Sequence, residues 1–213
     1  MSSKNSKGPG SLSGTGVAGI ILAAGEGRRL GGNKALLDIA GVTSLDRLAT
    51  CMLDAGCDPV MVVGGAQAES VRQEALRLGV QFALNRNWKN GQFSSLKTGV
   101  SWLAGAGGSR TIPVGAMVAL VDVPLVRRET YKILVGTFRR FPERIVIPTN
   151  QDRRGHPIIV PREIIRRVAS SPDGMTLRDI IKKYDHLVLE QAVDDTGILK
   201  DIDTEIDLKG TQF

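Results

Sequence analysis

The sequence predicts a Rossmann-like α/β domain, a three-layer α/β/α sandwich around a mainly parallel mixed sheet. Three observations predict it. Short apolar runs alternate with helical patterns along the chain, the mark of βαβ units. The runs are apolar at successive positions, as strands covered on both faces require. The chain has 213 residues, 42% of them hydrophobic, which suits one domain with a sizeable core. With aromatics at only 4%, that core is expected to be Val, Ile, Leu and Ala.

The elements follow in order. Residues 1–16 (MSSKNSKGPGSLSGTG) are rich in Ser, Gly and Lys and read as a flexible leader, leaving 17–213 as the single domain. The apolar run 17–22 is a first buried strand, followed by a glycine-rich loop over 23–33 and a helix over 44–55. Pro59 opens a second strand over 60–63, which Gly64 and Gly65 end. A helix over 68–78 stops at Gly79, and 80–84 is a third strand. Apolar spacing predicts a helix over 93–103, and the GAGGS stretch 105–109 a mobile loop. The run 117–121 (MVALV) is a fourth buried strand ending at Asp122. Then come a helix over 128–138, a strand over 144–147, a turn-rich stretch, and a strand over 157–160. Helices over 162–169 and 177–183, a strand over 186–190 and an acidic tail (DIDTEID) complete the chain.

Composition narrows the function. No run approaches the roughly 18 apolar residues of a membrane span, and no apolar stretch follows the N-terminal lysines as in a secretory signal. The two cysteines, Cys51 and Cys57, lack CxxC spacing and read as free thiols beside a core helix, in a reducing cytoplasm. The net charge of +6 suits polyanionic partners such as nucleotides and phosphorylated metabolites. Arg127, Arg128, Arg139, Arg140, Arg166, Arg167, Lys182 and Lys183 fall on helices, without aromatic interleaving or a DNA-reading element, so nucleic acid is not expected as a partner.

In such sheets ligands bind at the carboxyl ends of strands. The loop after the first strand, Leu22-Ala-Ala-Gly-Glu-Gly-Arg-Arg-Leu-Gly-Gly-Asn-Lys34, places glycines, Arg29 and Lys34 there. Glycines let backbone amides approach a phosphate, and the two cations add fixed positive charge. A P-loop is excluded, because Lys34 is preceded by Asn33 and followed by Ala35. A dinucleotide fingerprint also fails: Gly25 and Gly27 are followed by Leu30 where the third glycine belongs. At the end of the fourth strand, Asp122 is placed to hold a hard cation. Asn85, after the third strand, can bond a base or ribose, and Gly64, after the second, leaves room for a nucleotide. Ser94 and Ser95 open a helix where hydroxyls can read a base edge, and Trp88 is read as a packing residue.

The glycine loop resembles the LAAGxSxRMGxxK signature of the molybdopterin nucleotidyltransferase-like family, within the nucleotide-diphosphate-sugar transferase fold. Leu22, Ala23, Ala24, Gly25, Arg29, Gly31 and Lys34 stand at matching positions; Gly27 replaces Ser and Leu30 replaces Met. The segment around Asp122 resembles the family's GDxP element with Val121 for Gly, and implies Asp122 as a Mg²⁺ ligand. Asp201-Ile-Asp203-Thr is similar to a family element that folds back beside the metal; Asp201 is the expected second ligand, with Asp203 the alternative. The stretch from Asn85 to Gly99 resembles the family's base-binding segment and implies Ser95 at the base. Arg153-Arg154-Gly155-His156-Pro157 matches the cytidylyltransferase branch and implies Arg154, Gly155 and His156 on the acceptor side. Pro172 to Arg178 lacks one glycine of the family's GDxGxR stretch.

The resemblance thus implies a Mg²⁺-dependent nucleotidyltransferase that moves CMP from CTP onto a phosphorylated acceptor, a molybdopterin-type molybdenum cofactor. Arg29, Lys34 and Asp122 would carry the reaction, and contact with a molybdoenzyme or its maturation factor would follow. GTP as donor, a sugar or polyol phosphate as acceptor, and a nucleotide-binding accessory protein without turnover are the alternatives.

Overall fold

A computed structural model describes residues 16–27, 32–106, 112–203 and 207. The leader up to residue 15, Arg29 and the 107–109 part of the glycine-rich 105–109 stretch lie outside the described residues.

The chain opens with β1 (Val17–Ala23), buried along its whole length. A small hairpin, β2 (Asp38–Ile39) and β3 (Val42–Thr43), leads into α1 (Ser44–Asp54), whose Thr43 cap accepts from the Asp46 amide. There follow β4 (Val60–Gly64), α2 (Ala68–Arg77), β5 (Gln81–Leu84) and α3 (Gln92–Ser101). Next are β6 (Gly115–Leu120), α4 (Arg128–Arg140), β7 (Ile145–Asn150), β8 (Arg153–Arg154) and β9 (Ile158–Pro161). The last elements are α5 (Arg162–Ser170), α6 (Leu177–Lys183), which carries a capping box between Thr176 and Asp179, and β10 (Val188–Ala192).

The sheet runs in the order β10-β7-β9-β6-β1-β4-β5, with β8 paired to β7. The block β5, β4, β1 and β6 is parallel, whereas β9 lies antiparallel between β6 and β7. The expectation of a mainly parallel mixed sheet holds, and the three layers follow from strand periodicity. Along β1, Val17, Ile21 and Ala23 face one core with Leu45, Leu48 and Met52 of α1, Val71 of α2, and Leu134 and Phe138 of α4. Ala18, Ile20 and Leu22 face a second core with Leu96 and Val100 of α3, Ile164 and Val168 of α5, and Ile180 of α6. The edge strand β5 has no fully buried residue, so coverage on both faces holds for the central strands only.

The chain runs from β1 to β4 on one side and returns to β6 on the other. The carboxyl tips of β1 and β6 therefore flank the point where strand order reverses, where open α/β sheets form their binding crevice. Register pairs Leu22 with Leu120 and Ala23 with Gly64, which brings the loops after these three strands to one edge.

Candidate active site

A cleft of about 760 Å³ opens at this reversal point. Its walls include Leu22, Ala23, Ala24, Gly25 and Gly27 from the glycine loop, together with Lys34, Ser95, Asp122 and Asp203. The loop is anchored at both ends. At its start Ala24 O accepts from the Ala66 amide at 3.1 Å. At its close Asn33 caps a short 3-10 turn over Lys34–Leu36 and donates from Nδ2 to Ser70 Oγ of α2 at 3.0 Å. Gly27 has φ +65°, and a β-carbon there would lie 2.1 Å from Gly32 O, so only glycine fits the foot of the loop.

Asp122 sits two residues beyond β6, in a turn where Val121 N donates to Leu22 O and Val123 N to Leu120 O. The C-terminal segment folds back on this turn, as Ile202 N donates to Asp122 O at 2.7 Å. That contact carries Asp203 into the cleft, where it pairs with Lys34. Lys34 Nζ also lies 3.6 Å from Asp122 Oδ2. Burial works against the Lys34 charge, but the hydrogen bond to Asp203 and the nearby Asp122 outweigh it and raise the Lys34 pKa. Asp201 is exposed and is absent from the cleft wall. Although the residue is exposed overall, partial desolvation of its carboxyl and then the charges on Asp122 and Asp203 push its pKa up. Three carboxylates thus lie within electrostatic reach of one another around a single lysine.

Other sequence-predicted residues are dispersed. Asn85 is absent from the cleft wall: it is buried, donates to Ser94 Oγ at 2.9 Å and Ser95 Oγ at 3.0 Å, and accepts from Asn87 N. It holds the start of α3 in place and reaches the cleft only through Ser95. Gly64 is also outside the wall; a β-carbon there would strike Phe82 Cε2 at 2.6 Å, so the packing of β5 requires this glycine. Its neighbour Gly65, read from sequence only as a strand end, is the one against the loop, where a β-carbon would lie 2.7 Å from Ala24 O. Trp88 and Gln92 line the cleft and were not anticipated. The signal for Trp88 was its place between Asn85 and Ser95, which equally suits packing.

Arg154, Gly155 and His156 line a second hollow of about 490 Å³, otherwise largely apolar. It adjoins the cleft, sharing Leu22, Gly91 and Gln92 with it. Arg154 donates from Nε to Glu190 Oε1 at 2.7 Å, a bond that raises its pKa, and lies 3.5 Å from Asp185. A phosphate at Arg154 must compete with these acids. Gly155 allows close approach to 198, since a β-carbon would lie 2.3 Å from Ile198 O. Burial lowers the His156 pKa, against the opposing pull of the Val118 carbonyl and Asp122, and His156 Nδ1 is buried without a hydrogen-bond partner. At pH 7 this imidazole is neutral.

The cleft at the strand-order reversal thus combines a glycine loop with a lysine set among carboxylates. The model of the MobA-like NTP transferase domain matches residues 19–188. The chain belongs to the MobA-like NTP transferase family. A nicotine blue oxidoreductase of Paenarthrobacter nicotinovorans is 36% identical over 166 residues, covering 74% of this chain and 77% of that protein. A molybdenum cofactor guanylyltransferase of Mesorhizobium japonicum is 25% identical, with 82% of each chain covered. Among solved structures, Rv0371c of Mycobacterium tuberculosis H37Rv matches with TM-score 0.74 and 24% identity over 92% of this chain and 97% of that one. A manganese complex of Rv0371C matches at TM-score 0.73, with 23% identity over 92% of this chain and 100% of that one. At such identities the structural likeness is one of fold. The MobA-like domain here keeps the expected loop and the Asp122 turn together, and no helix among the described residues is long and apolar enough to cross a membrane.

Proposed function

We propose that the chain transfers a nucleoside monophosphate from an NTP to a phosphorylated second substrate held in the adjoining hollow. The donor proposed is CTP, and the acceptor a molybdopterin-type cofactor. The observation that carries this reading is the convergence of Lys34, Asp122 and Asp203 on the glycine loop at one cleft.

In the proposed reaction an acceptor phosphate oxygen attacks the α-phosphorus in line. A new P–O bond forms, the α–β bridging bond breaks, and pyrophosphate leaves. The attacking phosphate is already ionised, so no general base is needed. The backbone amides of residues 24–27 would cradle the phosphates, and Lys34 would turn to the leaving pyrophosphate. Arg29 is proposed for the same task from its place in the loop. The site's donor set fits Mg²⁺: among the described residues no group of three protein ligands is arranged for a metal, but Mg²⁺ takes one or two carboxylates and completes its shell with phosphate oxygens and water. Asp122 would hold the ion, with Asp203 or Asp201 as the second carboxylate. Bound there, the ion would neutralise charge on the phosphate oxygens. The RGHP turn supports CTP, and the guanylyltransferase relative supports GTP as the alternative donor. A sugar or polyol phosphate is the alternative acceptor, and a nucleotide-binding accessory role without turnover is the alternative function. The proposed place of work is the cytoplasm, in contact with a molybdoenzyme or its maturation factor.

A second reading has its own observation: the relative at 36% identity is named an oxidoreductase. Under it the cleft would hold the nucleotide part of a redox cofactor, and the apolar hollow an organic oxidant.

A pyrophosphate-release assay with CTP, GTP and each acceptor separates these readings. Release that depends on divalent metal and falls at least about a hundredfold in Asp122→Ala is expected, the scale of losing one electrostatic group in a transition state. Oxidation of a reduced nicotinamide with no pyrophosphate from any NTP would favour the second reading. Full activity in Asp122→Ala would remove the metal assignment.

A further inference from the structure

We infer that Trp88 is the platform on which the nucleobase of the donor stacks, an inference that rests on the cleft being the nucleotide site. Trp88 is half-buried, and it is the one aromatic side chain among the described residues lining the cleft. Its stem is fixed. A β-carbon on Gly65 would lie 2.6 Å from Trp88 Cβ and 2.7 Å from Ala24 O, so the glycine after β4 makes room for the root of the Trp88 side chain beside the start of the loop. The 3-10 turn Trp88–Asn90 is closed by Gly91 N donating to Trp88 O at 3.1 Å, and Asn85 accepts from Asn87 N just before it. A side chain whose root is held this way has less conformational freedom to lose when a ligand arrives.

The two ends of the cleft differ chemically. At one, Lys34, Asp122 and Asp203 gather the charge. At the other stand Trp88, Gln92 and Ser95, which is buried and accepts from Asn85 Nδ2 at 3.0 Å. That bond leaves the Ser95 hydroxyl proton to be given to a base edge. Lys89 Nζ lies 5.5 Å from the Trp88 ring centroid, and this exposed lysine must leave that face, or the base take the other, for stacking to occur. A nucleotide with its triphosphate at the charged end has its base at the indole. Stacking accepts any base, because every base has a π-face. Trp88 therefore supplies affinity, and the choice between C and G falls to edge contacts such as Ser95.

The test uses the full chain and three probes: CTP, GTP and inorganic tripolyphosphate. Trp102 lines a different hollow, with Asn85 and Lys97, so a Trp102→Phe protein reports Trp88 fluorescence alone. CTP and GTP should quench it saturably, and tripolyphosphate should not. Trp88→Leu should raise the Kd of both nucleotides about tenfold and that of tripolyphosphate less than about twofold, with Trp88→Tyr restoring most of the loss. Nucleotide binding without quenching, or equal weakening of nucleotide and tripolyphosphate in Trp88→Leu, overturns the inference while the nucleotide site stands. Should Trp88→Leu not fold, the quenching experiment decides alone. If no probe binds the parent protein, the nucleotide-site reading falls and takes the inference with it.

Discussion

Gly27 and His156 show how single residues carry the account. Gly27 stands where the family signature has Ser, and its φ of +65° with Gly32 O in the way of a β-carbon explains the replacement. A serine there would force the foot of the loop open. His156 carries a different constraint. Its pKa is lowered chiefly by burial, so the folded protein takes up this proton at lower pH than the unfolded chain, which does so near the usual value of about 6.5. Below that pH the unfolded state holds more protons, so this residue's contribution to stability is lost as pH falls. Urea melts between pH of about 7.5 and about 5 should therefore show a loss that His156→Phe partly removes. An equal loss in both proteins would mean that His156 is not the buried titrating group.

At the level of elements, the site depends on where α3 begins. Asn85, itself buried, makes two donor bonds to Ser94 and Ser95 and accepts from Asn87 N, and the bond to Ser95 is buried at both ends. Asn85→Ala removes the donor to buried Ser95, while Ser94 keeps its bonds to the Asn87 and Gly91 carbonyls, and should cost about 2 kcal/mol of stability. It should also weaken nucleotide binding by misplacing Ser95, read together in thermal melts and a CTP titration. Unchanged stability would show that the turn before α3 is held by other contacts. This element also shows what was legible in the sequence. The strand–helix alternation and the loop after β1 were readable because periodicity and glycine spacing are local signals. The bonds of Asn85 to Ser94 and Ser95 were not legible, since nothing local distinguishes an amide that touches a ligand from one that positions its neighbour. The β2–β3 hairpin and β8 are two residues per strand, too short for a periodic pattern to show. The fold-back of the tail onto Asp122, which selects Asp203 for the cleft wall, is a contact across 80 residues of chain that spacing alone cannot choose.

For the molecule as a whole, two cores on either side of one sheet fix the strand-order reversal and therefore the cleft. Their integrity can be followed through the thiols. Cys51 and Cys57 are free and buried, as the sequence suggested, and burial pushes the Cys57 thiol up to about 12. Alkylation of Cys57 by iodoacetamide at neutral pH should therefore track global unfolding, since only the thiolate reacts. Native-state labelling as fast as that of free cysteine would contradict the burial of Cys57 between α1 and β4. Whether the glycine loop and Asp122 serve one metal-bound triphosphate is decided by a crystal structure with Mn²⁺ and a non-hydrolysable CTP or GTP analogue. Anomalous density for the metal is expected at the Asp122 carboxylate, with the triphosphate along residues 24–27. A nucleotide bound elsewhere, or a metal remote from Asp122, would contradict it.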